Sequence, residues 1–339
     1  MIKFNAAEIK QKLRFLNRCT EKEGCPAFEW SASGFEMRFC GHSVFLEFEK
    51  AKTEQPIYAL CEIDGVRRDF AVCDSSTTFR ALDLGDGEHF LRFLKCSEPR
   101  LSDEDARLTL KQIAIDGEKI EILQKPAAKE RKIAFFGDSI TCGYGVLDSG
   151  DSGVFKTCYQ DATHAYAYLT ASAFDADFQI VAQSGQGVVC NVEKKPGYRV
   201  SEYFEHNSRF LKDQYDHSSF KPEVLVFNIG TNDNVARVEK EVFTKAACDL
   251  LRQVRAKYPE AEIIWMYGLM GGYIGQAAKD AVELMSENDG KLHFLPVSCI
   301  SRANDEVGAA GHPNVKGQKR GAAALVELVS QLTGWEAQK

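Results

Sequence analysis

Hydrophobic periodicity changes character once along this chain of 339 residues, and that change limits the folds open to it. From about residue 28 to residue 123 apolar and polar residues alternate: Phe35, Met37 and Phe39 against Glu36 and Arg38, then Leu46 and Phe48 against Glu47 and Glu49. Successive side chains of a strand point to opposite faces, so a period of two predicts antiparallel strands with one buried face. Further runs at 58–63, 89–94, 108–115 and 120–123 are parted by the turn dipeptides Asp64-Gly65, Asp86-Gly87 and Asp116-Gly117, the spacing of an all-β sandwich or jelly roll. Beyond residue 131 the pattern becomes short apolar runs (132–137, 178–183, 223–229, 261–267, 293–297) alternating with stretches of helical spacing. That alternation predicts a parallel sheet covered by helices, a three-layer α/β/α architecture.

Two unlike patterns call for two cores, and the length exceeds the roughly 250–300 residues at which a single core stops growing. The segment Gln124-Lys125-Pro126-Ala127-Ala128-Lys129-Glu130-Arg131 mixes proline with charge and suits a linker. The expected domains are therefore 1–125, all β, and 126–339, α/β. Ile9, Leu13 and Leu16 at helical spacing predict a short helix or packed arm within residues 1–17. In the second domain, Val242, Ala246, Leu250 and Val254 beside Phe243, Ala247 and Leu251 predict a helix over 239–257. Ala322, Leu325, Leu328, Val329 and Leu332 predict a last helix over 316–332.

Lys and Arg total 42 against 49 Asp and Glu, a mild acidic excess without a like-charge block, which argues against a nucleic-acid partner. The first ten residues lack the apolar stretch of a secretory signal, and no run approaches the ~18 apolar residues of a membrane helix, so a cytoplasmic protein without membrane association is expected. Eleven cysteines without a Cys-x-x-Cys pair indicate neither a disulfide framework nor a common zinc spacing.

The chemistry collects where predicted strands end. The run 132–136 leads into Gly137-Asp138-Ser139-Ile140-Thr141-Cys142-Gly143-Tyr144-Gly145. Ser184-Gly185-Gln186-Gly187 and Gly230-Thr231-Asn232-Asp233 follow two more apolar runs, and His312-Pro313-Asn314 precedes the last helix. In open α/β sheets ligands gather beyond the carboxyl ends of the strands, which makes Ser139 a candidate nucleophile. The lipase-type Gly-x-Ser-x-Gly elbow is absent around it, and Gly143-Tyr144-Gly145 is no dinucleotide fingerprint. Cys142 reads as a small core residue, and Asp138 and Asp233 read as carboxylates that hold backbone N–H groups. Tyr144, Tyr198, Trp265 and Tyr273 are candidate aromatic platforms for a sugar, each equally open to a core role. The other six histidines, including His164 on an expected helix, are given structural readings.

These four blocks in this order resemble the SGNH hydrolases, whose domain is flavodoxin-like. The resemblance implies that Ser139 attacks an ester and that His312, 173 positions later, takes and returns its proton. The Ser139 and Gly185 backbone N–H groups and the Asn232 side-chain amide would then bind the oxyanion, with Gly187 as the fallback for Gly185. A glycine is expected there because a Cβ would intrude on the oxyanion's space. Members of the family often carry an aspartate two or three positions before the histidine, where this chain has Ala310 and Ala309. Some other group must hold the ring: a backbone carbonyl accepting Nδ1–H is the expected one, and Asp305 the alternative.

Residues 136–145, the helix expected to begin at Gln160-Asp161-Ala162-Thr163-His164, Ser184-Gly185-Gln186-Gly187-Val188 and His312-Pro313-Asn314-Val315-Lys316, behind a β-rich domain, are more narrowly similar to carbohydrate esterase family 2. That likeness implies a jelly roll joined to an SGNH domain and removal of acetyl groups from acetylated xylo- or manno-oligosaccharides. It implies no cofactor or metal, since serine, imidazole and oxyanion donors suffice for acyl transfer to water. A lipid esterase or acyl-thioesterase, and a degenerate sugar-binding protein, are the competing readings.

Overall fold

The computed structural model describes residues 1–339 apart from 102, 103, 149, 151, 152 and 339. The chain forms two compact units, Met1–Ala128 and Lys129–Lys339.

The first unit is a sandwich of two antiparallel sheets of six strands each. One runs Cys19–Lys22, Cys25–Phe28, Leu108–Asp116, Ser43–Lys50, Ser76–Ala81, with Ile2–Asn5 also paired to Leu108–Asp116. The other runs Glu121–Ile122, Gly34–Cys40, Glu88–Lys95, Ile57–Ile63, Val66–Val72, with Arg14–Leu16 beside Gly34–Cys40. Alternation decides the inward face: Val44, Leu46 and Phe48 meet Phe35, Met37, Phe39 and Phe93 in one core. The Phe48 and Phe93 rings stack at 4.5 Å. Asp64 and Gly65 join two strands with Ile63 paired to Val66, and both have positive φ (51° and 79°), as a two-residue type I′ hairpin demands. The amino-terminal segment keeps the expected short helix but frames it with strands, and Leu13 and Leu16 lie outside the helix. Ile2–Asn5 is a strand, a single helical turn Ala6–Ile9 capped by Asn5 follows, and Arg14–Leu16 is again a strand. Each strand covers the part of an inner strand that a short neighbour leaves unpaired: Cys25–Phe28 reaches only Leu108 and Thr109, and Glu121–Ile122 only Phe39 and Cys40.

The second unit holds five parallel strands, β1 (Lys132–Gly137), β2 (Asp177–Ala182), β3 (Val224–Asn228), β4 (Glu262–Leu269) and β5 (Leu292–Cys299). Their order is β2-β1-β3-β4-β5, the flavodoxin-like doubly wound arrangement. Both faces are covered, so the central strands are apolar almost throughout: every residue of β3 is buried. Helices Tyr166–Ala173 and Val315–Thr333 pack together, as do Lys240–Lys257 and Gly275–Ser286, giving one pair to each face. In Lys240–Lys257 the buried stripe is Phe243, Ala247, Leu250, Leu251 and Val254, whereas Val242 is exposed. Gln160 and His164 do not begin a long helix: Ala162–His164 is a 3-10 turn capped by Asp161, and helix starts only at Tyr166. The Asp161 carboxylate explains the break, because it binds the Thr163 N–H, the Thr163 hydroxyl and the His164 ring. Among the described residues no helix is long and apolar enough to cross a membrane.

Candidate active site

Strand register places the three glycine-rich blocks side by side. Gly137 at the end of β1 pairs with Ala182 of β2 and with Asn228 of β3. Ser139, Gly185 and Asn232 follow those aligned residues by two to four positions, so all three leave the sheet at one edge.

Ser139 opens a single helical turn, Ser139–Cys142, that is entirely buried. Asp138 caps it, accepting the Ile140 N–H at 3.1 Å through Oδ1. Burial pushes the Asp138 carboxyl up to about 7; the Ile140 N–H opposes the shift and the charge of nearby Asp233 adds to it. Cys142 has no exposed surface, in keeping with a core role.

His312 reaches Ser139 from the other end of the unit. Its Nε2 lies 2.8 Å from the Ser139 Oγ. Its Nδ1 lies 3.1 Å from the Ala310 carbonyl oxygen. A carbonyl can only accept, so Nδ1 carries the proton and Nε2 presents its lone pair to the serine hydroxyl. Ala310 has φ 51° and ψ 34°, a left-handed conformation that turns its carbonyl toward the ring two residues on. The side chain of Asp305 is exposed, and the imidazole nitrogens are taken by Ala310 and Ser139; the Asp305 backbone carbonyl accepts Asn314 Nδ2 at 3.0 Å. Part of the His312 ring remains open to solvent, but the atoms packed around the rest lower its pKa from 6.5 to about 4 by desolvation, against the opposing pull of the Ala310 and Ala309 backbone.

Backbone bonds fasten this loop to the serine turn. The Ala309 N–H donates to the Gly145 carbonyl at 3.2 Å and the Val315 N–H to the Val146 carbonyl at 3.1 Å. Gln318, fully buried on the last helix, adds a side-chain clamp: its Nε2 donates to the Ile140 carbonyl at 2.8 Å while its Oε1 accepts the Tyr166 N–H at 2.9 Å. Motif reading missed this residue. The signal was present, since a glutamine sits on the otherwise apolar and small stripe of that helix.

The Gly185 block is held by Asp233, whose carboxylate accepts the N–H groups of Val188, Val189 and Cys190 at 2.8, 2.9 and 3.2 Å. Burial raises its pKa although those three donors oppose the shift. Gly185 has φ 78°, and a Cβ built there would meet nothing nearer than Val192 Cγ1 at 3.7 Å. Within the protein itself its need for glycine is thus conformational, set by the positive φ. Crowding belongs to Gly187, where a Cβ would collide with Asp233 and the Cys190 carbonyl. Asn232, in the first turn of Thr231–Ala236, donates from Nδ2 to the Gln186 carbonyl at 2.7 Å and faces Asp138 Oδ2 at 3.5 Å.

The aromatic candidates separate. Trp265 is fully buried beside Phe227 and Phe243, with ring centroids 6.0 and 6.1 Å away, so it is a core residue and no platform. Its place mid-strand on β4, covered by a helix, leaves no route to a ligand. Tyr198 is buried too, its hydroxyl 2.6 Å from His206 Nδ1. Tyr144 is half-buried, stacked on Phe155 at 3.7 Å and tilted against the His312 ring at 4.6 Å. Tyr273, half-buried on the loop after β4, lies beneath Arg237 and Lys240. Each of the other six histidines has a local partner, for example His293 with Glu262 and His217 with Tyr258. Among the described residues no group of three or more His, Cys, Asp or Glu side chains is arranged to hold a metal ion.

Comparison with known proteins follows the same division of the chain. The cellulase/esterase CelE of Acetivibrio thermocellus is 27% identical over 319 residues, covering 91% of this chain and 38% of that protein. An acetylxylan esterase/glucomannan deacetylase of Cellvibrio japonicus is 29% identical over 218 residues, covering 61% of this chain and 55% of that protein. This chain therefore spans little more than a third to a half of these relatives. A family two carbohydrate esterase from Clostridium thermocellum, solved with cellohexaose, superposes with a TM-score of 0.87 over 95% of this chain and 99% of that one, at 24% identity. The likeness extends across both units and is a likeness of fold. Residues 18–120 match the carbohydrate esterase 2 N-terminal domain. Residues 135–320, more than half of the chain and the part that carries Ser139, Gly185, Asn232 and His312, match the GDSL-like lipase/acylhydrolase family, and to that family the chain belongs.

Proposed function

We propose that the chain is a carbohydrate O-acetylesterase that removes acetyl groups from acetylated xylo- and manno-oligosaccharides through a serine acyl-enzyme. The observation that carries the reading is the 2.8 Å contact between His312 Nε2 and Ser139 Oγ, with the far ring nitrogen on a carbonyl. Ser139 Oγ attacks the acetyl carbon as Nε2 takes its proton, and the imidazolium so formed is steadied by the Ala310 carbonyl. Negative charge then develops on the former carbonyl oxygen, where the Ser139 and Gly185 N–H groups and Asn232 Nδ2 are proposed to donate. Asn232 has two amide hydrogens; Gln186 occupies one, and the other only loosely faces Asp138, so it is the one offered to the oxyanion. His312 returns its proton to the departing sugar hydroxyl, and water repeats the sequence on the acetyl-serine. The names of the relatives supply the substrate class.

The test is acetate release from acetylated xylo- and manno-oligosaccharides and from a simple acetyl ester. Ser139→Ala and His312→Ala should each lower turnover by about 10³-fold or more. No acetate from any of these substrates would overturn the reading, and glycan affinity without turnover would leave a sugar-binding protein. Rates that climb with acyl-chain length would move the assignment to a lipid esterase or thioesterase.

A further inference from the structure

We propose that Arg237 and Lys240 form a carboxylate-binding subsite at the rim of the candidate site, so that acetylated oligosaccharides bearing a uronic acid are bound in preference to neutral ones. The inference rests on the reading of the site as acting on acetylated glycans. The two side chains come from one short stretch. Helix Thr231–Ala236 carries Asn232 in its first turn and ends at Arg237, which caps it with φ 56° and ψ 46°. At 1.5 Å per residue, Arg237 stands only about 7–8 Å along the helix from Asn232, within the span of one or two sugar rings. Lys240 opens the next helix.

Tyr273 gathers both cations. The Arg237 guanidinium carbon lies 5.1 Å and Lys240 Nζ 5.2 Å from the centre of its ring. The backbone that carries the ring is held by Asn234, whose Oδ1 accepts the Tyr273 backbone N–H at 2.8 Å, tying the loop after β4 to the helix that carries Asn232. Both cations are exposed, and neither forms an ion pair or hydrogen bond with an acidic side chain among the described residues. Two cations farther along the same helix behave otherwise: Lys245 and Arg252 both pair with Asp249. Glu239 and Glu241 flank Lys240 in sequence, but side chains one position apart on a helix point in different directions.

In a chain of net charge −7, which repels acidic glycans at long range, two cations gathered on one ring without an acidic partner leave their N–H donors open to a carboxylate. The planar guanidinium matches a carboxylate in a bidentate fork, and the ammonium supplies a second, less directional charge. Lys240 also borders the groove between Lys240–Lys257 and Gly275–Ser286, with Glu241 and Asp280. Arg237 therefore carries the test.

Binding is measured by titration calorimetry on the full chain with Ser139→Ala, so that no turnover is needed. The probes are a xylo-oligosaccharide bearing one glucuronosyl group and the same oligosaccharide with that carboxyl reduced. The acidic probe should bind about fivefold more tightly at low salt, the advantage should shrink at high salt, and Arg237→Gln should abolish it while Arg237→Lys keeps part of it. Equal affinity for the two probes, or a preference that survives Arg237→Gln with Lys240→Gln, overturns the subsite. Free glucuronate competing as well as the acidic oligosaccharide would show recognition of a loose carboxylate and would likewise overturn preference for the glycan. Failure of the esterase reading shows separately, as absent acetate release by the unmodified chain.

Discussion

His312 has an imidazole already neutral and already turned, and two predictions belong to it. Its pKa of about 4 leaves the base unprotonated well into acid, so the acid limb of kcat/KM should fall near pH 4 to 5; a limb near 6.5 would show a more open ring. The sign for stability follows from linkage. Below 6.5 the unfolded ring binds a proton that the folded ring accepts only near 4. This residue's contribution is therefore full above 6.5, declines as pH falls toward 4, and levels off beyond. Asp305→Ala should keep turnover within about twofold, because its side chain does not face the ring. A loss of several hundredfold in steady-state kinetics would give the orienting role to that carboxylate. The fixing of a histidine by some carbonyl could be anticipated from two alanines standing where a carboxylate is common. Which carbonyl could not, because the left-handed turn at Ala310 has no residue signature: glycine or asparagine would announce it, and alanine does not.

Elements decide how sites so distant in sequence come together. Five apolar runs announce β1 to β5 within two residues, since the inner strands, buried on both faces, are apolar almost throughout, while β5 at the sheet edge is partly exposed. The short helical turns were harder to read. A capping aspartate at Asp161 and pairing demands at the amino terminus overrode helical spacing, and spacing cannot weigh those competitors. Trp265 failed as a platform for a related reason: an aromatic looks the same in sequence whether its strand is covered or open. Gln318 is the element-level keystone, joining the last helix to both the serine turn and helix Tyr166–Ala173. Gln318→Ala would strand the buried Tyr166 N–H and leave the Ile140 carbonyl only the Gly143 N–H at 3.3 Å, so urea unfolding should show a loss of about 1–3 kcal/mol. A change below 0.5 kcal/mol would mean that water replaces both bonds.

For the whole molecule, none of the eleven cysteines is in a disulfide, and Cys73, Cys158 and Cys299 are the exposed ones. A thiol reagent should modify three sites rapidly in the native chain and all eleven in denaturant; a larger rapid count would show a core that opens readily. The two units carry separate chemical burdens. The sandwich buries phenylalanines from both sheets in one apolar layer. Both units also bury charge: the sandwich pairs or satisfies its own, as with Glu36 between Arg14 and Arg92 and Lys95 among backbone carbonyls, whereas Asp138 and Asp233 of the α/β unit lie near the strand ends and resist ionisation. Because the oxygen that steers His312 is part of the main chain, no alanine scan of residues 305 to 311 can delete it. Only a change to the polymer itself, such as an ester linkage in place of the 310–311 amide, would weaken that acceptor. Tolerance of side-chain change at 309 and 310 is thus compatible with complete dependence on the chain's path there.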